Sequence, residues 1–467
     1  MTTRRALLGA CVASALLAAC ASNPPSLQDR PPIVFVHGNG DTAALWLTTV
    51  WRFESNGWPR DRLFAYDVPY PLARDDDGKA QPGRTSAAEN MAFLKAEVAR
   101  VLAATGAKQV VLVANSRGGN AVRSFIQDGG GAAVVSHAIL GGTPNHGVWA
   151  DLAYLPGNEF NGAGPYLKGL NAPKDAAGDE VTGPVKWMTI RSDSNDKYAQ
   201  PDGQWIGRRG QPTHITFTGP ELKGATNVVI PRIDHRETAY SAPAFAAMFQ
   251  FLTGRAPSTT DVLPEDHVVL RGKVTGLGVS STDPASGSFS NNLPLPGAQL
   301  SVYAIDATTG ERRGPAVLTQ TIGANGQWGP LQADPAARYE FVLVAPGYAT
   351  THIYRSPFPR SSDLVNLRPE RLPEADRAAP SVALLSRPRG YLDPARDRMS
   401  FDGQTPPPGA LPGAGVASSR IKPTGPARTI VAEFNGERVV GRLWPDTGVR
   451  SGAGPWMGEL SVLEMTY

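Results

Sequence analysis

Residues 110–122 read VVLVANSRGGNAV, and this stretch decides the fold. Apolar residues of β type run up to Ala114, then Asn115, Ser116, Arg117 and two glycines precede a helical pattern. A short apolar run closed by turn residues and followed by a helix is a buried strand feeding a helix through a tight corner. A serine on such a corner takes a strained backbone conformation, which lifts its hydroxyl above the end of the strand. The residues two before and two after it must be small, or they collide with the neighbouring strand and helix. Those positions are Ala114 and Gly118, and alanine adds only a methyl group to the usual glycine. A serine that simply caps a helix is the plainer reading, but it leaves the strand and the small flanking residues unexplained.

Outward from this corner the chain alternates strands and helices. PPIVFVHGNG, residues 31–40, is a buried strand over 33–36 running into a Gly-rich turn, and LFAY, 63–66, is a second short strand. A helix starts at Ser86, which forms a capping box with Glu89. Met91, Leu94, Val98 and Leu102 share its apolar face, and Gly106 ends it. HAILG at 137–141, VKWMTIR at 185–191 and NVVIP at 227–231 continue the strands. Ser241 then caps a last helix with the stripe Phe245, Met248, Phe249, Leu252, closed by Gly254. This alternation predicts an α/β domain with a mostly parallel sheet.

After GRAPSTTD, 254–261, the texture changes. HVVLRGKV, QLSVYAI and RYEFVLVAPGY alternate with a period of two, which predicts antiparallel β structure. The domains expected are a signal over 1–20, a polar tether over 21–30, an α/β catalytic domain over 31–256 and a β-sandwich or barrel accessory domain over 257–370. A further β segment over 371–467 follows the Pro-rich joint PERLPEADRAAP. It is either a separate unit or part of the same accessory domain.

The 467 residues exceed a single compact core. A net charge of +3 without a basic cluster gives nucleic-acid binding no support. The start, TTRRALLGACVASALLAAC, has paired Arg4 and Arg5 before an apolar run too short to span a membrane well. Its end, LAAC, resembles the lipobox of bacterial lipoprotein signals, and the arginine pair resembles a twin-arginine export signal. The resemblance implies cleavage before Cys20, a diacylglyceryl anchor on its sulfur and a place in the bacterial cell envelope, with outer-membrane sorting. The alternative is an ordinary secretory signal. Cys11 and Cys20 are the only cysteines. The mature chain therefore has no disulfide, thiol ligand or cysteine nucleophile.

A nucleophilic serine needs a base and a group that orients it. In this fold the chain order is serine, acid, histidine. Of seven histidines, His235 alone falls on the loop between the last strand and the last helix. His146, in GTPNHG, is the alternative base, or else lines the pocket mouth. Asp193 and Asp196 both follow the strand VKWMTIR and are candidate acids. The oxyanion donors expected are the backbone N–H groups of Arg117, just after the serine, and Asn39 in HGNGDT. RDDDGKA, 74–80, lacks the alternating spacing of a calcium loop. No metal or cofactor is required.

PPIVFVHGNGDTAALW, VVLVANSRGG, GGTPNHG and IDHRETAYSAPAFAAMFQFLTG together resemble lipases of the α/β-hydrolase superfamily. FAAMFQFLTGRAPSTTDVLPED, VVLRGKV and YRSPFPRSSDLVNL resemble archaeal-type lipases that carry a C-terminal β-barrel lipid-binding domain. The resemblance implies lipase or esterase activity, with the β region presenting lipid. SNDKYAQP resembles the acid-bearing loop of such lipases, which favours Asp196 over Asp193. The archaeal pattern places the acid one strand earlier, where this chain has Gly141 and no carboxylate. A distinct pocket between Gly142 and Lys186 is therefore expected, and acyl-length preference does not carry over. Residues 145–167 offer Trp149, Tyr154, Leu155 and Phe160 either as the underside of a cap or as ordinary loop packing. Three functions are open: a Ser116–His235–Asp196 carboxylic ester hydrolase, a depolymerase of aliphatic polyesters, and a non-catalytic lipid-binding envelope lipoprotein. Oligomeric state is not readable.

Overall fold

The computed structural model describes residues 26–276, 291–377, 379–445 and 458–467. Arg4, Arg5, Cys11 and Cys20 lie outside the described residues. The first half is a parallel sheet of strands β1 (Ile33–Val36), β2 (Leu63–Ala65), β3 (Val110–Asn115), β4 (Val135–Gly141), β5 (Lys186–Ser192) and β6 (Thr226–Ile230). Their order in space is β2-β1-β3-β4-β5-β6, which puts the serine-bearing β3 between β1 and β4. Helices α1 (Leu47–Ser55), α2 (Ala87–Thr105), α3 (Arg117–Gln127), α4 (Pro165–Leu170), α5 (Glu237–Tyr240) and α6 (Ala242–Thr253) accompany it.

The local chemistry builds these elements as expected. Ser86 accepts from the Glu89 N–H while the Glu89 carboxylate accepts from the Ser86 N–H, and Gly106 closes α2 at φ 65°. The Phe245, Met248, Phe249 and Leu252 stripe of α6 packs on one sheet face with Ile33, Phe35 and Val113. Val34, Leu112, Leu140 and the α2 and α3 side chains fill the other. A sheet buried on both faces writes continuous apolar strands. The polar tether ends against this domain, where Arg30 donates to the Leu252 and Thr253 carbonyls at the end of α6.

The second half contains β7 (Val268–Val274), β8 (Gln299–Ile305), β9 (Leu318–Thr321), β10 (Gln327–Ala333), β11 (Arg338–Val344), β12 (Thr350–Arg355) and β13 (Ser362–Leu367). It continues with β14 (Val382–Ser386), β15 (Met399–Phe401), β16 (Ser418–Ile421), β17 (Arg428–Phe434), β18 (Glu437–Leu443) and β19 (Glu459–Glu464). Pairing is mostly antiparallel, as the alternation predicts. However, β12/β19, β14/β19 and β7/β13 are parallel. The final strand β19 is inserted between β12 and β14, so one seven-stranded sheet draws strands from both sides of the Pro-rich joint. Helix α1 bridges the two halves. Its Leu47 and Trp51 join the β-region core, and the Trp51 indole N–H donates to the Ser361 carbonyl at 2.9 Å.

The corner after β3 is sterically tight. A Cβ at Gly118 would lie 2.6 Å from the His37 carbonyl oxygen and 2.7 Å from that of Val36, both backbone atoms of the β1 end. Gly118→Ala is therefore expected to destabilise the fold by about 1–3 kcal/mol through overpacking. Ala114→Gly loses a buried methyl and adds backbone entropy, together about 1–2 kcal/mol. Urea unfolding checks both, and a neutral Gly118→Ala would contradict the steric account.

Candidate active site

The chain turns from β3 into α3 through one residue. Ser116 sits at φ 54°, ψ −126°, a region that non-glycine residues rarely occupy, and its N–H donates to the Gly141 carbonyl at 2.8 Å. The loop after β1 approaches closely, since a Cβ at Gly38 would lie 2.9 Å from the Ser116 Cβ. Asn115, just before the serine, donates to the carbonyls of Gly141 and His235, each at 3.2 Å, and to the Thr238 hydroxyl at 3.1 Å. The serine corner and the histidine loop are thus tied by one amide.

His235 lies on the loop between β6 and α5, buried at 3% exposure. Its Nδ1 is 2.9 Å from each oxygen of the Asp196 carboxylate, itself 2% exposed. The other ring nitrogen, Nε2, is buried and has no hydrogen-bond partner among the described residues. The Tyr198 ring packs on the imidazole with centroids 4.4 Å apart, and the Tyr198 N–H donates to Asp196 at 2.8 Å. Asp193 is elsewhere: it accepts from the Arg232 N–H at 2.7 Å and braces the loop after β6. That bond holds its carboxyl below the ordinary aspartate value. Gly141, where the archaeal pattern has its acid, is packed against Thr238 with no room for a side chain.

Ser116, His235 and Asn39 line one pocket of about 290 Å³. Its apolar wall includes Val148, Trp149, Tyr154, Leu155, Phe160 and Ile206. The four side chains of the 145–167 segment named above all face this space. Asn39 is fixed by its side-chain oxygen, which accepts from the Ala73 N–H at 2.7 Å. Among the described residues, neither the Asn39 nor the Arg117 backbone N–H has an acceptor.

The Arg117 side chain has a different task. It pairs with Glu159 at 2.8 and 2.7 Å, both side chains 1% exposed, and donates further to Pro71 and Thr85. It ties the start of α3 to the 145–167 segment. His146 is not at the pocket mouth. It belongs to a separate cleft with Thr216, Gly219 and Glu221, where Nδ1 donates to the Gly219 carbonyl at 2.8 Å and Nε2 meets Glu180 at 2.9 Å. The three aspartates of RDDDGKA serve local turns, and Asp77 accepts from the Ala87 N–H at the start of α2. No cluster that would hold a metal ion occurs among the described residues.

Sequence reasoning missed Asn115 as the link between corner and histidine loop, and Tyr198 as the ring under His235. It also missed Tyr391, which reaches the same pocket from the β region.

Residues 30–153 match the family described as Lipase (class 2), and residues 266–372 match the Lipase C-terminal domain. The chain therefore resembles an α/β-hydrolase lipase with a C-terminal domain, and the match supports ester hydrolysis. No curated protein sequence matches the chain. Among solved structures, lipase B of Aspergillus fumigatus is 16% identical with a TM-score of 0.36 over 50% of this chain and 54% of its own. The chain thus spans about half the length of that lipase. The mature form of Bacillus licheniformis lipase BlEst2 is 21% identical, TM-score 0.35, over 50% of this chain and 95% of its own. Its propeptide form is 14% identical, TM-score 0.36, over 91% and 97%.

Two predictions follow from the buried pairs. Glu159→Gln strands the Arg117 cation in the interior and should cost about 3–5 kcal/mol. On α2 the largely exposed Arg100 pairs with Glu97 at 2.6 Å, and Glu97→Gln should cost under about 1 kcal/mol. Chemical denaturation distinguishes them, and equal costs would contradict the assignment. The hydrogen bond to Glu180 raises His146 above the ordinary histidine value. The stabilisation it brings is complete below the unfolded-state value and is lost as pH rises through the raised one. Wild-type melting temperature should therefore fall across that alkaline-going window more than that of Glu180→Gln. Parallel curves would contradict it.

Proposed function

We propose that the protein is a serine carboxylic ester hydrolase in which Ser116 is the nucleophile, His235 the general base and Asp196 the group that orients it. One observation carries the reading. Asp196 holds the Nδ1 side of His235 with both oxygens, while Nε2 stays buried and, among the described residues, unpartnered at a pocket that the strained Ser116 also lines. That is the arrangement a base needs if it is to take a proton from a substrate-facing hydroxyl.

The course is as follows. Ser116 Oγ attacks the ester carbonyl carbon as its proton passes to His235 Nε2. The resulting oxyanion is met by the backbone N–H groups of Asn39 and Arg117, preorganised by the loop after β1 and by the first turn of α3. The tetrahedral intermediate collapses, the C–O bond to the alcohol breaks, and His235 returns its proton to the leaving alkoxide. Water then attacks the acyl-enzyme, giving up a proton to His235, and the acid leaves as Ser116 regains its proton. Asp196 fixes the tautomer with the proton on Nδ1 and stabilises the imidazolium formed in both halves. The apolar wall of the pocket suits an acyl chain. Its volume is near the lower end of small-molecule pockets, which favours short acyl groups.

We also propose export and attachment to the cell envelope through a lipidated Cys20. The support is the LAAC stretch and the paired Arg4 and Arg5. Cys20→Ala should move the protein from the membrane to the soluble fraction, and an unchanged distribution would contradict the anchor.

The enzymatic reading is tested with p-nitrophenyl esters from acetate to palmitate, using the form without residues 1–20. Ser116→Ala should lose about a thousandfold or more in kcat, and Asp196→Asn on the order of 10⁴-fold. Short esters should be the better substrates. If wild type and Ser116→Ala are equally inert on every ester, the reading fails.

A further inference from the structure

The β region reaches into the active site through a segment beyond both lipase matches, the later of which ends at residue 372. Arg387, just past β14, is 2% exposed and aims its guanidinium at the loop that carries His235. Its Nη1 donates to Asp234 Oδ2 at 2.7 Å and to the Tyr391 carbonyl at 2.6 Å. Its Nη2 donates to Glu237 Oε1 at 2.6 Å and to the Tyr240 hydroxyl at 2.7 Å. Arg396 donates to the other oxygen of Glu237 at 2.6 Å and to the Arg232 carbonyl at 3.0 Å. Asp234 and Glu237 bracket His235 in the chain. The Asp234 carboxylate also accepts from the N–H groups of Arg236 and Glu237, at 2.9 Å each, and of Tyr391 at 2.8 Å. Arg396 also pairs with Asp397 at 2.8 and 2.9 Å, so two arginines and three carboxylates form a buried network beside the histidine loop.

The same segment walls the pocket. Tyr391 lines it beside Ser116 and His235. The Lys197 ammonium lies 4.1 Å from the Tyr391 ring centroid and donates to the Gly415 carbonyl at 2.9 Å. Trp205, another lining residue, packs on the 413–415 turn so closely that a Cβ at Gly415 would lie 2.2 Å from its ring.

We propose that residues 387–415 form part of the active site: Arg387 and Arg396 are positioning residues for His235, and Tyr391 is a wall that selects the ester. This rests on the ester-hydrolase reading above. A planar guanidinium spanning Asp234 and Glu237 fixes their separation, and thereby the backbone from which the imidazole projects. Lysine cannot bridge both carboxylates with that geometry. A base displaced by a fraction of an ångström loses alignment with the serine proton while the binding pocket persists.

The test uses the whole mature chain with Arg387→Lys, Arg387→Met, Glu237→Gln and Tyr391→Ala. Folding is verified by circular dichroism and unfolding midpoints. Arg387→Lys is expected to lower kcat by about 10- to 100-fold with KM for a short ester nearly unchanged, and Arg387→Met to lower it further. A merely structural residue would change the melting temperature but not kcat of the folded fraction. Tyr391→Ala is expected to shift the acyl-length optimum towards longer chains. A folded Arg387→Lys enzyme with wild-type kcat overturns the positioning role, and an unchanged acyl preference in Tyr391→Ala overturns the wall. If neither Arg387 variant folds, Glu237→Gln decides, because it weakens the hold of both arginines while the Arg387–Asp234 pair remains: reduced kcat with KM unchanged supports the role and wild-type kcat overturns it. A wild type inert on every ester would instead overturn the reading on which this inference stands.

Discussion

The backbone at Ser116 is the constraint around which the first half of the molecule is arranged. A non-glycine residue at φ 54°, ψ −126° costs on the order of 1–3 kcal/mol, so it persists only where the surroundings over-determine it. The two strands flanking β3 supply that. The end of β1 presses its carbonyls on Gly118 and the loop beyond it presses Gly38 on the serine Cβ, while β4 accepts the Ser116 N–H through Gly141. Any loosening of these contacts would let the corner relax towards an ordinary helix start. The hydroxyl would then no longer stand at the pocket. The steric demand also explains why Ala114 is accepted. It is fully buried in β3, where its methyl joins the apolar packing of the sheet with Val34, Val36 and Leu140.

The α/β half was legible because its physics is local. Parallel strands covered on both faces write apolar runs, and Ser86, Gly106, Ser241 and Gly254 mark helix ends by their own hydrogen bonds or positive φ. Helix α1 was not legible. Trp46 and Phe53 face the sheet while Leu47 and Trp51 face the β region, so apolar residues surround it and no single stripe remains. The parallel pairings of β19 were equally hidden. Ser461 lies opposite His352 and Ala383, and nothing in an alternating pattern tells which distant strand will be the neighbour.

The candidate site divides along the same line. Ser116, His235 and the two aspartates could be read from order and local context. The choice between Asp193 and Asp196 rests on contacts, since one braces the Arg232 N–H and the other meets the imidazole. His146 was misplaced because its partners, Glu180 before β5 and Gly219 after it, come from two irregular segments with no periodicity. Arg387 gave no signal at all. An arginine followed by a proline, a second arginine and a glycine reads as a surface cation until Asp234 and Glu237 are seen against it. What the sequence presents as an accessory β region is, at Arg387 and Tyr391, structurally continuous with the histidine loop.

The central claim is that Ser116 is activated by the His235–Asp196 pair, and stoichiometric covalent labelling tests it most directly. A phosphonate ester carrying a chromogenic leaving group, followed by peptide mass spectrometry, should give one equivalent of released chromophore and a single adduct on Ser116. A folded wild-type protein that acquires no adduct, or acquires it at another residue, would contradict the account.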